Sequence, residues 1–411
     1  MKSFGAKSKV RAKAQFLCIV TACALLVIVG ACAPAAAPPP TAQPAQATAA
    51  PAVAKPTTSP AAPATAAPAA KATTAPAAKA TSSALAQLVE AAKKEGKVSV
   101  ALQSPLIGEP VKEIREGIKK NYGVDLQIEA VPSSSYPTLI AKAISEYKAG
   151  VAPSVDMIPT SDASTILGVQ AGAAEKVDWA PLLAAGTPRE VIKGDGHVLN
   201  TFTSHIGMIY NPKAIPAAEV PKSFADLGNP KWKGKIAMFN YYNLYVDFAF
   251  VQGPERFLEN LRAIAKNDPV LGTYDNGRTR FFTGEYPLLL TQSATMVEAK
   301  AAGVAAEWVS LGMSALGNHN LMVLKGTKVP NAAKLLAVFL AGPDGHKIYT
   351  KTGRGSLLYP GNAEFEINQQ DVKAGLRIFS WETTPGMVEF YNSDKGKQVE
   401  KDIGEILQGK Q

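Results

Sequence analysis

Cysteine is nearly missing from this chain of 411 residues: Cys18, Cys23 and Cys32 are its only three, and all stand near the start. No thiol follows residue 32, so a fold built downstream has no disulfide framework, no zinc-thiolate site and no cysteine nucleophile. Histidine is almost as scarce, and His197, His205, His319 and His346 lie too far apart to show metal-ligand spacing. The chain also lacks Gly-x-Ser-x-Gly, His-Glu-x-x-His and a Gly-Lys-Ser/Thr phosphate loop, so the common hydrolytic and nucleotide-using chemistries find no motif. No cofactor motif is present, and an enzyme is not expected. Acidic residues are absent from the first 84 positions, which carry eight Lys or Arg; of the net charge of +9, only +1 remains for residues 85–411. A nucleic-acid-binding domain would show a basic face, and here the basicity belongs to the leading segment instead.

That leading segment has three parts. Five basic residues lie within the first 13 (Lys2, Lys7, Lys9, Arg11, Lys13), and an apolar run follows from Phe16 to Val29. At about 14 residues the run falls short of the ~17–25 that a spanning helix needs, and with its basic start it reads as a secretory signal. Val29-Gly30-Ala31-Cys32 then resembles the lipobox of bacterial lipoproteins, which implies cleavage before Cys32 and acylation of its thiol. Val20-Thr21-Ala22-Cys23 fits the same pattern but would strand Leu25 to Val29 on the mature terminus. Residues 33–83 are almost entirely Ala, Pro, Thr, Ser, Gln and a few Lys, with eleven prolines. Such a stretch has too little bulky apolar surface to offset its ordering entropy and reads as a disordered tether.

Beyond residue 83, short apolar runs alternate with amphipathic helices, the pattern of an α/β fold. Leu85, Leu88, Val89 and Ala92 repeat at helical spacing and stop at Gly96. Strands are expected over 97–102, 125–131 and 155–158. Each is followed by small polar residues (Gln103-Ser104, Ser133-Ser134-Ser135, Thr160-Ser161-Asp162) and then by a helix. Any one of these clusters is adequately explained as a helix cap. Several converging at the carboxyl ends of strands would form a ligand cleft.

Residues 221–240 read Pro-Lys-Ser-Phe-Ala-Asp-Leu-Gly-Asn-Pro-Lys-Trp-Lys-Gly-Lys-Ile-Ala-Met-Phe-Asn. This resembles the signature of bacterial extracellular solute-binding proteins in the ferric-iron/organic-solute group of ABC importers. Gly207 to Asn211, Gly284 to Leu290 and Ala332 to Leu340 are similar to neighbouring parts of that family. The resemblance implies a two-lobed type II periplasmic-binding-protein-like fold, with two crossing strands and a ligand cleft between the lobes. The first lobe is then expected to hold 84–205 and 313–411, and the second 206–312. It further implies an extracytoplasmic receptor, anchored to the bacterial cell membrane through lipid on Cys32. By hinge closure this receptor captures a small solute and delivers it to an ABC-transporter permease as a monomer, with no nucleic acid partner.

The strand-to-helix loops supply the candidate binding residues. These are Gln103, Ser104, Ser134, Thr160, Ser161 and Asp162 from the first lobe, and Asn240, Tyr241, Tyr242, Tyr245, Asn276, Gly277, Arg278, Thr291, Gln292 and Ser293 from the second. Asn318, His319 and Asn320 lie where the chain returns to the first lobe. Arg278, after Asn276-Gly277 at an expected helix start, could clamp an organic anion. An alternative is ferric iron on Tyr241, Tyr242 and Tyr245, since a hard trivalent ion favours anionic oxygen. Against it, Gln103-Ser104-Pro105 lacks the Tyr or His of the iron branch, and Thr291-Gln292-Ser293 stands where that branch has paired tyrosines. A non-transport surface lipoprotein or an enzyme is the second alternative.

Overall fold

Local signals set the start of the fold. Ser82 accepts a hydrogen bond from the Leu85 N–H and caps α1 (Ser83–Glu95), whose Leu85, Leu88, Val89 and Ala92 form the buried stripe. The structure is a computed structural model and describes residues 82–409 apart from Ser134. The expected signal segment, Cys32, the tether up to residue 81 and the candidate Ser134 lie outside the described residues.

The chain then alternates through β1 (Lys97–Leu102), α2 (Glu109–Tyr122), β2 (Gln127–Pro132), α3 (Tyr136–Lys148), β3 (Met157–Thr160), α4 (Asp162–Gln170), the two-residue β4 (Ile192–Lys193) and the long β5 (Val198–Tyr210). Strand β1 pairs in parallel with β2 and β3. The third strand lies two residues later than expected, because Thr160 pairs with Asn320 on the other side. Leu102, Ile114, Leu126, Met157 and Leu199 from these elements share one core with Leu335, Leu336 and Tyr349 from later in the chain.

A second core begins past the middle of β5. It is built by β6 (Ile236–Phe239), α5 (Tyr242–Gln252), α6 (Pro254–Ala265), β7 (Val270–Gly272), α7 (Tyr274–Phe282), β8 (Leu288–Gln292), α8 (Ala294–Ala301) and β9 (Glu307–Val309). The 221–240 stretch is its base. Trp232 is buried, donates its indole N–H to the Asp226 carbonyl at 3.0 Å, and packs with Phe224, Leu227 and Phe257. Strand β10 (Met313–Val323) runs back beside β5 to the first core, where α9 (Pro330–Ala341) and α10 (Pro343–Lys351) complete it. All eleven strands join into one sheet of order β2-β1-β3-β10-β5-β8-β6-β7. In it, β4 and β9 pair with β5, and β10 also carries β11 (Arg377–Phe379).

The C-terminal segment departs from the expected division of the chain. After α10 the chain crosses again through residues 352–362. Helix α11 (Ala363–Lys373) then places Ile367 against Ile209, Phe281 and Leu289 of the second lobe. Helices α12 (Met387–Asn392) and α13 (Asp394–Leu407) follow, and Met387, Val399, Ile403 and Ile406 join the second core. Residues 363–409 therefore pack on the second lobe and not the first, and residues 352–362 add a third passage to the two crossing strands β5 and β10. The physical cause is the apolar stripe of α13 at Val399, Ile403, Ile406 and Leu407, which fits against α5 and α6. Gly404 makes the approach possible: a Cβ there would stand 3.2 Å from the Tyr242 ring.

Candidate binding cleft

Many of the buried polar residues lie where β5 and β10 cross between the lobes. These strands pair antiparallel with an irregularity between His319 and Asn320. In this stretch Asn200, Thr201, Thr203, Ser204, His205 and Asn320 are all buried. Buried polar groups need partners, and the partners divide them into three sets.

In the first set, Asp162 at the first turn of α4 accepts from Asn318 Nδ2 at 3.1 Å and from Asn320 Nδ2 at 3.4 Å. Burial pushes its carboxyl up to about 6, against the pull of the two amides. From the second lobe, Asp247 on α5 accepts the Trp381 indole N–H, and burial pushes this carboxyl up to about 7, with the charge of Asp162 adding to the rise. Asp162, Asn320 and Trp381 line a cavity of about 160 Å³ together with Lys193 and Glu382. Lys193 places its ammonium 2.7 Å from each oxygen of Glu382.

In the second set, Gln103 Nε2 donates to the Tyr136 hydroxyl at 2.6 Å, which lies 2.9 Å from His319 Nδ1, and His319 Nε2 lies 3.1 Å from Ser204 Oγ. Burial lowers His319 to about 3, with the nearby Arg354 charge acting in the same direction. The ring is therefore neutral, so one of its nitrogens donates and the other accepts in the chain from Tyr136 to Ser204. His319 also stacks on Phe202 with centroids 4.0 Å apart. The Gln103 Oε1 is buried with no partner.

The third set lies at the crossing itself. His205 Nδ1 stands 2.6 Å from Glu364 Oε2, the His205 N–H donates to the same oxygen at 2.9 Å, and Ser293 Oγ donates to the other. Glu364 belongs to α11, so this network ties three separate passages of chain together.

A family model described as bacterial extracellular solute-binding protein matches residues 113–373. The chain belongs to this family. Its fold is shared with a substrate-binding protein of an ABC transporter from Agrobacterium tumefaciens, at TM-score 0.62 and 14% identity, covering 76% of this chain and 94% of that one. Iron-bound HitA from Pseudomonas aeruginosa matches at TM-score 0.56 and 18% identity, over 75% and 99% of the two chains. The spermidine/putrescine protein PotD from Streptococcus pneumoniae matches at 0.57 and 15%, over 75% and 99%. Comparison with curated protein sequences finds no match. A solute receptor of two α/β lobes, acting outside the cytoplasm, is what family and fold establish.

Within this solute-binding protein the expected site residues separate. Gln103, Asp162, Asn318, His319 and Asn320 converge at the crossing, as described. Ser104 is exposed on the turn after β1. Thr160 and Ser161 serve α4 locally: the Thr160 hydroxyl lies 2.8 Å from that of Thr165, and Ser161 caps the helix. Thr291 is likewise buried, 2.9 Å from the Thr295 hydroxyl, and Ser293 is committed to Glu364. Gln292 ends β8 beside the Tyr274 phenol. Asn240 and Asn276 are exposed on the second lobe, and the Asn276 N–H is capped by Thr273. Gly277 is buried against Leu289 and has no side chain to offer.

Two expectations are overturned. Arg278 is not at a helix start, since α7 begins at Tyr274 behind the Thr273 cap. Its guanidinium is held by Asp275 at 2.9 Å and Glu298 at 3.1 Å, which leaves no free cation for an anion clamp. The tyrosine trio does not converge either. Tyr245 is fully buried and donates to the Phe239 carbonyl at 2.8 Å, Tyr242 lies under α13 with its hydroxyl reached by Gln408, and only Tyr241 is exposed, against Tyr274. Burial holds the Tyr245 hydroxyl well above its usual pKa, the reverse of what a tyrosinate ligand needs. Among the described residues no group of three or more His, Cys, Asp or Glu is placed to hold a metal ion.

Sequence reasoning missed Tyr136, Asp247, Trp381, Glu298 and Arg354. The signal for Asp247 was available: it is the one charged residue in the apolar helix Tyr242–Gln252, and a lone charge on such a helix is seldom there for packing.

Proposed function

We propose that this protein is the lipid-anchored receptor of an ABC importer and that its solute is a small organic cation, an amine. The observation that carries the solute class is the pair Asp162 and Asp247. They come from opposite lobes, and the charge of Asp162 adds to the rise of the Asp247 carboxyl. Neutral N–H groups bond both, and among the described residues no cation contacts either one directly; Lys193 lowers Asp162 only through its charge, and Glu382 opposes it. A buried carboxylate with no bonded cation is costly; an ammonium group in the cavity that Asp162 lines would bond that carboxylate and offset the charge that raises Asp247. Trp381 adds an aromatic face to the same cavity, and a ring face attracts cations. The fold neighbours do not select a solute, because they include an iron-bound protein, a thiamin-binding protein and a spermidine/putrescine protein.

Delivery follows from the rest of the chain. The basic, apolar start directs export, Cys32 carries the lipid, and the Pro-rich tether gives a monomeric receptor reach to its permease. Solute binding favours closure because contacts to both lobes exist only in the closed state.

The test is a thermal-shift and calorimetric panel on protein unfolded, dialysed and refolded to strip carried ligand. It would contain putrescine, spermidine, glycine betaine, citrate, phosphonates and ferric citrate. A ligand at 100 times its Kd adds about 2.7 kcal/mol of stability. Amines alone should raise the midpoint, and Asp162→Asn and Asp247→Asn should each remove the effect. A shift with an organic anion or iron and none with amines refutes the cation reading.

A further inference from the structure

We propose that Lys193 and Glu382 form a closure latch, an ion pair made only when the lobes meet and holding them shut over the Asp162–Trp381 cavity. This rests on the hinge-closure reading of the cleft and adds to it the group that sets the balance between open and closed forms.

The two partners belong to different lobes. Lys193 lies on β4, which pairs with β5 at Leu199 and Val198 within the first core. Glu382 follows β11, whose Phe379 is in the second core, and neighbouring Trp381 is bonded to Asp247 of α5. The ammonium stands 2.7 Å from both carboxylate oxygens, and the side chains are 21% and 45% exposed. Both residues line the cavity that also presents Asp162, Asn320 and Trp381. The pair is therefore a wall of the cavity as well as a bridge across it. Separation of the lobes would part a contact of this length, and the wall would open with it.

An exposed ion pair within one rigid body contributes little, because its partners stay close whether or not they touch. One that spans a hinge acts differently. Its free energy enters the equilibrium between two forms of the whole molecule, and the apparent affinity of any solute scales with the closed fraction. Its partial exposure makes it sensitive to salt. Lys193 also keeps the rim of an otherwise acidic cavity from carrying a further uncompensated charge in the absence of solute.

The experiment needs no ligand. In the full chain with Cys18, Cys23 and Cys32 replaced by serine, Lys148→Cys and Glu259→Cys place spin labels on exposed helical positions of the two lobes. Pulsed electron-electron resonance then reads the distribution of distances between them. Lys193→Met and Glu382→Gln should each lower the closed-to-open ratio about two- to fivefold, the range of a partly exposed ion pair, and 0.5 M NaCl should do the same to the parent. The charge-swapped double variant Lys193→Glu with Glu382→Lys should restore the ratio, which a merely damaged fold would not do. Lys176→Met removes the exposed ion pair with Asp195 inside the first lobe and should change nothing. Two distances whose ratio neither single variant moves would overturn the latch and leave the receptor reading intact. One unvarying distance in every variant would overturn hinge closure and the latch together.

Discussion

Asp247 accepts the Trp381 indole N–H on both carboxylate oxygens, each at 3.0 Å, so that an acid of α5 is fixed by an aromatic residue 134 positions later in the chain. The indole holds the carboxylate without neutralising it, and the predictions about charge follow from that.

The first concerns stability. The Asp247 carboxyl is raised to about 7 in the folded protein, so between its unfolded value near 4 and about 7 the folded state binds the extra proton. Stability must then fall as pH rises through that window. Asp247→Asn should flatten this slope and be more stable than the parent at pH 8, by on the order of 1–2 kcal/mol after allowance for residual solvation. Urea denaturation at pH 5 and pH 8 measures both.

A second concerns amine binding, where the sign is reversed. The amine needs Asp162 and Asp247 ionised, and these titrate at about 6 and about 7. Affinity for an amine should weaken on the order of a thousandfold from pH 8 to pH 5, since both carboxyls must lose a proton. Calorimetry at the two pH values should show it, with proton release on binding near neutrality.

His319 should take no part in that titration. Its ring is buried, neutral and depressed to about 3. Its ring proton resonances should stay fixed from pH 5 to pH 8, and a shift with a midpoint near 6 would mean that the Tyr136–His319–Ser204 chain is not as described.

Glu364→Ala should be the most damaging of these changes to the fold. It would leave the His205 N–H and imidazole and the Ser293 hydroxyl without their shared acceptor in a dry site. Bonds to charged groups contribute about 1.5–3 kcal/mol each and are not additive, so a loss of about 3 kcal/mol is expected, read as a lower urea midpoint.

Tyr245→Phe should cost about 1 kcal/mol for its bond to the Phe239 carbonyl. It should leave the response to ferric citrate unchanged, because that hydroxyl is a core group.

The sequence disclosed the fold far better than the site. Helical spacing at Leu85, Leu88, Val89 and Ala92, and the Trp232 stretch, are local patterns, and their structure is local. The division of the C-terminal segment was hidden, because the stripe of α13 shows that the helix packs and does not show against which core. At the cleft, Asp162 and His319 were legible from their places after β3 and on β10. Trp381 and Arg354 were not, since they arrive through the third passage, which no pattern announced. Arg278 misled for the converse reason. Its ability to bind an anion depends on Asp275 and Glu298, and the second of these lies 20 residues away.

The third passage also changes how the molecule would bear load. Helix α1 packs in the first core and α13 in the second, so tension applied between these two helices would run through β5, β10 and residues 352–362 in parallel. The Glu364 carboxylate, bonded to His205 and Ser293, is placed to rivet that junction. Pulled in an optical trap, the protein should yield first by parting its lobes, a small reversible extension at low force, and only later by unravelling either core.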